Sequence, residues 1–182
     1  MKMKVITLGP KGTFSHLAAL QSFPKAKIHF AGTIEEVLEL FVQSGQFDYA
    51  VVPLFNSVSG EVKETVRKMM EYSLEIFSEC KLPITHDLAG YGTLAKTKVL
   101  YAQPYALTQC SSNLSRVLRR VHVEKTSSNS HSAKILAQRK DPNEAALVSP
   151  FAAKLYSLPI LCRGMQDEEE NITIFIALTK KT

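Results

Sequence analysis

Cysteine is scarce in this chain: Cys80, Cys110 and Cys162 are three among 182 residues, an odd number with no CxxC spacing. That excludes a disulfide framework and argues against a zinc site, leaving buried thiols as the expectation. The five histidines, His16, His29, His86, His122 and His131, show neither HxxxH nor HExxH spacing, so no metal is expected. No run approaches the roughly 20 apolar residues of a membrane helix. The opening apolar segment, residues 5–8, stops at Gly9-Pro10, well short of the roughly 7–15 residues of a signal-peptide core. A soluble, cytoplasmic protein with no membrane partner is therefore expected. No Gly-Lys-Ser/Thr phosphate loop, no Gly-x-Ser-x-Gly elbow, no internal repeat and no low-complexity tract is present. The net charge of +5 is scattered, apart from Arg116-Val117-Leu118-Arg119-Arg120 and Lys180-Lys181, and no aromatic residues interleave with it. Nucleic acid is not expected as a partner; a small anion suits so modest a positive field.

The chain does hold enough apolar residues, 45% of 182, to bury a core in one large domain or two small lobes. Short apolar runs alternate with amphipathic segments. Strands are expected at residues 5–8, 28–30, 49–53, 74–84, 98–101, 121–124, 145–148, 158–162 and 172–178. Helices are expected after Thr13 or Ser15, after the capping box Thr33-Ile34-Glu35-Glu36 (ending near Gly45), over 61–72, from Pro104 to about Arg120, over 130–139, and from Pro150. Ala89-Gly90-Tyr91-Gly92-Thr93 reads as a loop, and Asp167-Glu168-Glu169-Glu170 as an acidic linker. This alternation argues for an α/β protein with mostly parallel strands. The last strand has no helix after it, and a return to the first sheet is one route for it.

Three segments carry chemistry. Gly9-Pro10-Lys11-Gly12-Thr13-Phe14-Ser15 joins a strand to a helix, where backbone N–H groups and hydroxyls favour an anion; an ordinary capped turn has the same pattern. Asn56 and Ser57 follow a doubly buried strand, the end at which α/β sheets bind ligands. Thr173 could donate a proton or a hydrogen bond, although threonine is common in strands for its shape alone.

The order and spacing of these segments resemble the catalytic domain of prephenate dehydratase along nearly the full length. Residues 9–19 look like that family's opening motif. Asp48-Tyr49-Ala50-Val51-Val52-Pro53 with Asn56, Ser57 and Gly60 is similar to its second motif. Gln103-Pro104 through Gln109-Cys110 matches its third in part. Thr126, Ser128 and Ser130, then Ala145-Ala146-Leu147, follow its spacing, and Asn171, Thr173 and Phe175 fit its Asn-x-Thr-Arg-Phe signature. The resemblance implies a two-lobed α/β fold like the type II periplasmic binding proteins. Residues 1–78 with 170–182 would form one lobe and 79–169 the other, with the substrate in a cleft between them. It implies conversion of prephenate to phenylpyruvate in L-phenylalanine biosynthesis without a cofactor. Thr173 would be the catalytic donor, and Thr13, Phe14, Ser15, Asn56, Ser57, Asn171, Ile174 and Phe175 the substrate-binding positions. It further implies a homo-oligomer, dimer or tetramer. The phenylalanine-sensing regulatory domain of many relatives is expected to be absent.

The departures are specific. The signature arginine is Ile174, and the glutamate expected in the second motif is Phe55. Ala102-Gln103 replaces a Ser-His, and His131 stands where a small residue is usual. An arginine–carboxylate contact contributes roughly 1.5–3 kcal/mol per charged hydrogen bond, which isoleucine cannot supply. Three functions stay open at this point: a dehydratase, impaired or not by Ile174; a prephenate decarboxylase that keeps the ring hydroxyl; and a non-catalytic carboxylate-binding relative.

Overall fold

The computed structural model describes residues 2–168 and 170–181; Met1, Glu169 of the acidic linker and Thr182 lie outside the described residues. The chain forms two compact units. The first runs to Ile84 and resumes at Glu170; the second begins at Thr85. The first crossing thus comes at 84/85, not at 78/79, because residue 78 lies inside a ten-residue strand that stays paired to its end.

The first unit opens with β1 (Lys4–Leu8), α1 (Phe14–Ser22), β2 (Lys27–Ala31), α2 (Ile34–Ser44) and β3 (Tyr49–Asn56). Thr33 caps α2 by accepting from the Glu36 N–H at 3.0 Å. The Glu36 carboxylate returns to the Gly32 N–H at 2.6 Å, one residue before the cap. Gly45 ends α2 in the left-handed region at φ 61°, which glycine adopts without steric cost. Then come β4 (Gly60–Glu61), α3 (Lys63–Glu71) and β5 (Leu74–Pro83). The unit is completed from the far end of the chain by β11 (Ile172–Lys180), in the order β2-β1-β3-β11-β5.

The second unit holds β6 (Asp87–Gly90), β7 (Val99–Ala102), α4 (Pro104–Gln109), α5 (Ser111–Val117), β8 (His122–Lys125), α6 (Asn129–Arg139), β9 (Glu144–Val148), α7 (Pro150–Leu155) and β10 (Ile160–Cys162). Its sheet order is β10-β6-β9-β7-β8.

Three expectations are corrected. Residues 89 and 90 lie in β6 and not in a loop, since burial on both faces leaves the strand ladder to satisfy their backbone. The helix expected from Pro104 to Arg120 is two helices, broken at Cys110, whose φ of −121° is outside the helical range. The sheets are mixed: among the described residues four strand pairings are parallel and five antiparallel. In the first sheet the reason is that β11, returning from the second unit with no helix before it, lies between β3 and β5 and runs antiparallel to both.

The first sheet buries both faces. Val5, Val51, Phe175 and Ala177 pack with Ala18 and Ala19 of α1 on one face. Ile6, Val52, Ile176 and Leu178 pack with Val37, Leu38 and Phe41 of α2 on the other. Met69 of α3 lies against that second cluster. The strands between them therefore read as unbroken apolar runs.

Candidate functional site

The C-terminal ends of the parallel strands β1 and β3 share one edge of the first sheet, and antiparallel β11 begins there. Thr173 stands directly across from Asn56, and Ile174 across from Phe55. Side chains alternate between faces along a strand, so Thr173 shares the α1 face with Phe175 and Ala177. Ile174 lies on the α2 face with Ile176.

Simple alternation along β3 would put Asn56 on the α2 face with Val52. It does not, because one step of β11, from Ile174 to Phe175, is matched by two steps of β3, from Phe55 to Pro53. Leu54 is the extra residue of a β-bulge. The bulge turns Asn56 onto the α1 face beside Thr173.

The amide of Asn56 is fully used. Its Oδ1 accepts from the Val58 N–H at 3.0 Å, the Ser59 N–H at 2.9 Å and the Ser59 hydroxyl at 3.2 Å. Two backbone donors on one oxygen fix which end of the amide is which. Nδ2 must then donate, and it does so to Thr173 Oγ1 at 2.9 Å, Asn171 Oδ1 at 2.6 Å and the Ile172 carbonyl at 3.3 Å. Thr173, only 8% exposed, is an acceptor in this contact, so its own proton points elsewhere. No acceptor for that proton is found among the described residues.

The other expected positions divide. Thr13 caps α1: its hydroxyl accepts from the His16 N–H at 3.3 Å and donates to the Leu8 carbonyl at 3.2 Å. It shapes the turn that Gly12 enters at φ 98°. Phe14 packs against the α1-face cluster, and Ser15 is buried with its carbonyl accepting from Thr7 Oγ1. Asn171 spends its side-chain oxygen on Asn56, and its carbonyl accepts from the Ile84 N–H at 2.7 Å. Ser57 Oγ accepts from the Ile172 N–H at 2.9 Å and donates to the Glu170 carbonyl. Phe175, 3% exposed, is core beneath the site. Ile174 is the one position on the reverse face, between Phe55 on β3 and Lys81 on β5.

His16 borders the turn. Its Nδ1 accepts from the Gly12 N–H at 3.1 Å, and its ring meets Phe30 edge-on. Burial, aided by Lys11, holds its pKa below 6.5 and keeps the ring neutral.

In the second unit the fold assembles a polar cluster that sequence reasoning missed. His86, 2% exposed, places Nε2 3.2 Å from Gln109 Oε1 and Nδ1 3.3 Å from Asn129 Nδ2. Burial lowers its pKa. A neutral ring protonated at Nε2 satisfies both contacts. The far ends of the amides, Gln109 Nε2 and Asn129 Oδ1, are buried without a hydrogen-bond partner. The three residues belong to different elements, so no local pattern marks them. The neighbouring Cys110 thiol, pushed up to about 12 by burial and Asp167, stays protonated.

Two curated relatives align with 98% of the chain. The bifunctional chorismate mutase/prephenate dehydratase of Escherichia coli (strain K12) is 37% identical over 186 residues, a match covering 47% of that protein. The prephenate dehydratase of Lactococcus lactis subsp. cremoris (strain MG1363) is 32% identical over 180 residues, covering 64% of it. The chain thus spans about half to two thirds of the length of these relatives. The solved structure of the Arthrobacter aurescens prephenate dehydratase in complex with L-Phe superposes with a TM-score of 0.86. It is 30% identical and covers 99% of this chain and 61% of that one. The likeness bears out the two-lobed α/β fold. The sequence profile of the family described as prephenate dehydratase matches residues 5–182, the stretch that contains the turn before α1, the bulged end of β3 and the start of β11, and the chain belongs to that family.

Proposed function

We propose that this chain is a prephenate dehydratase, converting prephenate to phenylpyruvate by loss of carbon dioxide and the ring hydroxyl. The observation that carries the reading is the Asn56–Thr173 contact. Prephenate, a dianion, takes up one proton as it releases carbon dioxide and water, and the ring becomes aromatic. The proton is needed at the departing hydroxyl. Thr173, with Asn56 donating to its oxygen, has its own O–H aimed away from Asn56 and available to that group. As the proton shifts, charge gathers on Thr173 Oγ1, where Asn56 Nδ2 already stands as a fixed donor. A threonine hydroxyl is a weak acid, so such preorganised support is what lets it assist. The α1 N-terminus, with the turn that Thr13 and Ser15 shape, suits a substrate carboxylate.

Ile174 lies on the opposite sheet face from Thr173. The missing arginine therefore leaves the donor pair itself untouched. The reading further takes prephenate as the small-molecule partner, without a cofactor, in L-phenylalanine biosynthesis in the cytoplasm. It takes the working form as a homo-oligomer, dimer or tetramer.

The test is to incubate the pure protein with prephenate at neutral pH and identify the product. Phenylpyruvate is expected. A non-aromatic decarboxylated keto acid would make the protein a decarboxylase, and saturable binding without product would make it a binding relative; either sinks the proposal.

A further inference from the structure

We infer that Thr65, on the α2 face of the sheet, is a positioning residue that holds the Leu54 bulge and through it the aim of Asn56. The inference rests on the reading of Asn56 and Thr173 as the donor pair. Three observations lead to it.

The bulge decides which face Asn56 occupies, since without the extra residue Asn56 would share the face of Val52. A bulge disturbs the strand ladder locally and leaves backbone groups to be satisfied from elsewhere. At this bulge the partners come from α3 and the residue before it. Thr65 Oγ1 donates to the Pro53 carbonyl at 2.7 Å, and the Val62 N–H donates to the Leu54 carbonyl at 2.8 Å.

Thr65 is 0% exposed. A buried threonine facing an apolar helix–sheet interface could be valine at equal volume; the hydroxyl is the difference, and its bond goes to the residue where the register shifts. Pro53 has no N–H to anchor its own peptide, so its position depends more heavily on its carbonyl. Asn56 then spans from the bulge to Thr173 and Asn171, and its Oδ1 is tied to Val58 and Ser59. A small change of backbone direction at Leu54 therefore moves Nδ2 relative to Thr173 Oγ1. Among the described residues the Thr65 hydroxyl bonds to the Pro53 carbonyl and to nothing on the α1 face, so it acts through the backbone alone.

The decisive comparison is Thr65→Val against Thr65→Ser, with Thr97→Val as a control. Thr97 is likewise buried and donates to a backbone carbonyl, that of Thr93 at 3.1 Å, but it lies in the other unit. Each variant is read by kcat and KM for prephenate, and by the NMR side-chain amide resonances of Asn56. The expected result for Thr65→Val is a kcat lowered about tenfold, the size of one lost hydrogen bond, with KM nearly unchanged. Its Asn56 amide signals should shift and exchange faster with solvent. Thr65→Ser should restore both readings, and Thr97→Val should move neither. Wild-type kcat together with unmoved Asn56 resonances in Thr65→Val overturns the inference. Should Thr65→Val fail to fold, Thr65→Ala, which removes the hydroxyl without adding bulk, carries the same two readings. Should the wild type not turn over prephenate, the functional reading fails, while the Asn56 resonances still decide the role of Thr65.

Discussion

A threonine hydroxyl is a weak acid, and what distinguishes Thr173 from other strand threonines is the direction its proton must take. Asn56 donates to its oxygen, and the Asn56 amide cannot flip because Val58 and Ser59 hold its Oδ1. Two predictions follow at this scale. Thr173→Ala should lower kcat by at least about a hundredfold, the usual weight of a positioned proton donor, with little change in melting temperature. Asn56→Asp keeps the Oδ1 contacts but places an acceptor where Nδ2 donated. The Thr173 proton would then turn toward the carboxylate, and kcat should fall while circular dichroism shows the fold retained. Full activity in Asn56→Asp would refute the orienting role.

At the scale of elements, two of the departures from the family pattern prove to be one feature. Phe55 and Ile174 are cross-strand neighbours on the α2 face, flanked by Glu61 on β4 and Lys81 on β5. An apolar pair here occupies both positions expected to carry opposite charges. Ile174→Arg alone should destabilise the sheet by roughly 0.2–1 kcal/mol, because it faces Lys81 directly; Phe55→Glu added to it should recover most of that loss. Urea midpoints of the four proteins check this cycle, and strict additivity would show the positions uncoupled. The same Ile174→Arg should leave kcat for prephenate within about twofold, because the new side chain stands on the sheet face opposite Thr173.

The turn before α1 gives a pH prediction. His16 is neutral in the fold because burial and Lys11 hold its pKa below the ordinary 6.5. The unfolded chain therefore takes up a proton first as pH falls. The stability held by the neutral ring is complete above 6.5 and is lost as pH drops from there through the lowered folded value. His16→Asn, whose side-chain oxygen can take the Gly12 N–H, should flatten this part of the urea-midpoint profile; an unchanged slope would exclude His16 as its source.

For the whole molecule, the decisive event is the return of β11 between β3 and β5, which joins Asn56 to Asn171 across 115 positions. Because β11 is paired on both sides, its amides should exchange more slowly than those of the edge strands β2 and β5, as hydrogen exchange read by mass spectrometry would show. Faster exchange in β11 than in β5 would mean that the first unit opens at its centre.

Local patterns are why so much was legible in the chain itself. Caps at Thr13 and Thr33, the glycine at 45 and the doubly buried run of β3 are properties of a few adjacent residues. The motif spacing pointed to Thr173, Asn56 and Asn171 for the same reason. Alternation alone, however, assigns Asn56 to the wrong face, because a bulge is a register relation between two strands and leaves no mark in either. The cluster of His86, Gln109 and Asn129 and the pairing of Phe55 with Ile174 were equally out of reach. Sequence determined most of the elements and pointed to Asn56 and Thr173 as site positions, through patterns that close within a turn or a strand. Tertiary structure decided which face each side chain occupies and whose oxygen it meets, because those depend on backbone contacts between segments far apart in the chain.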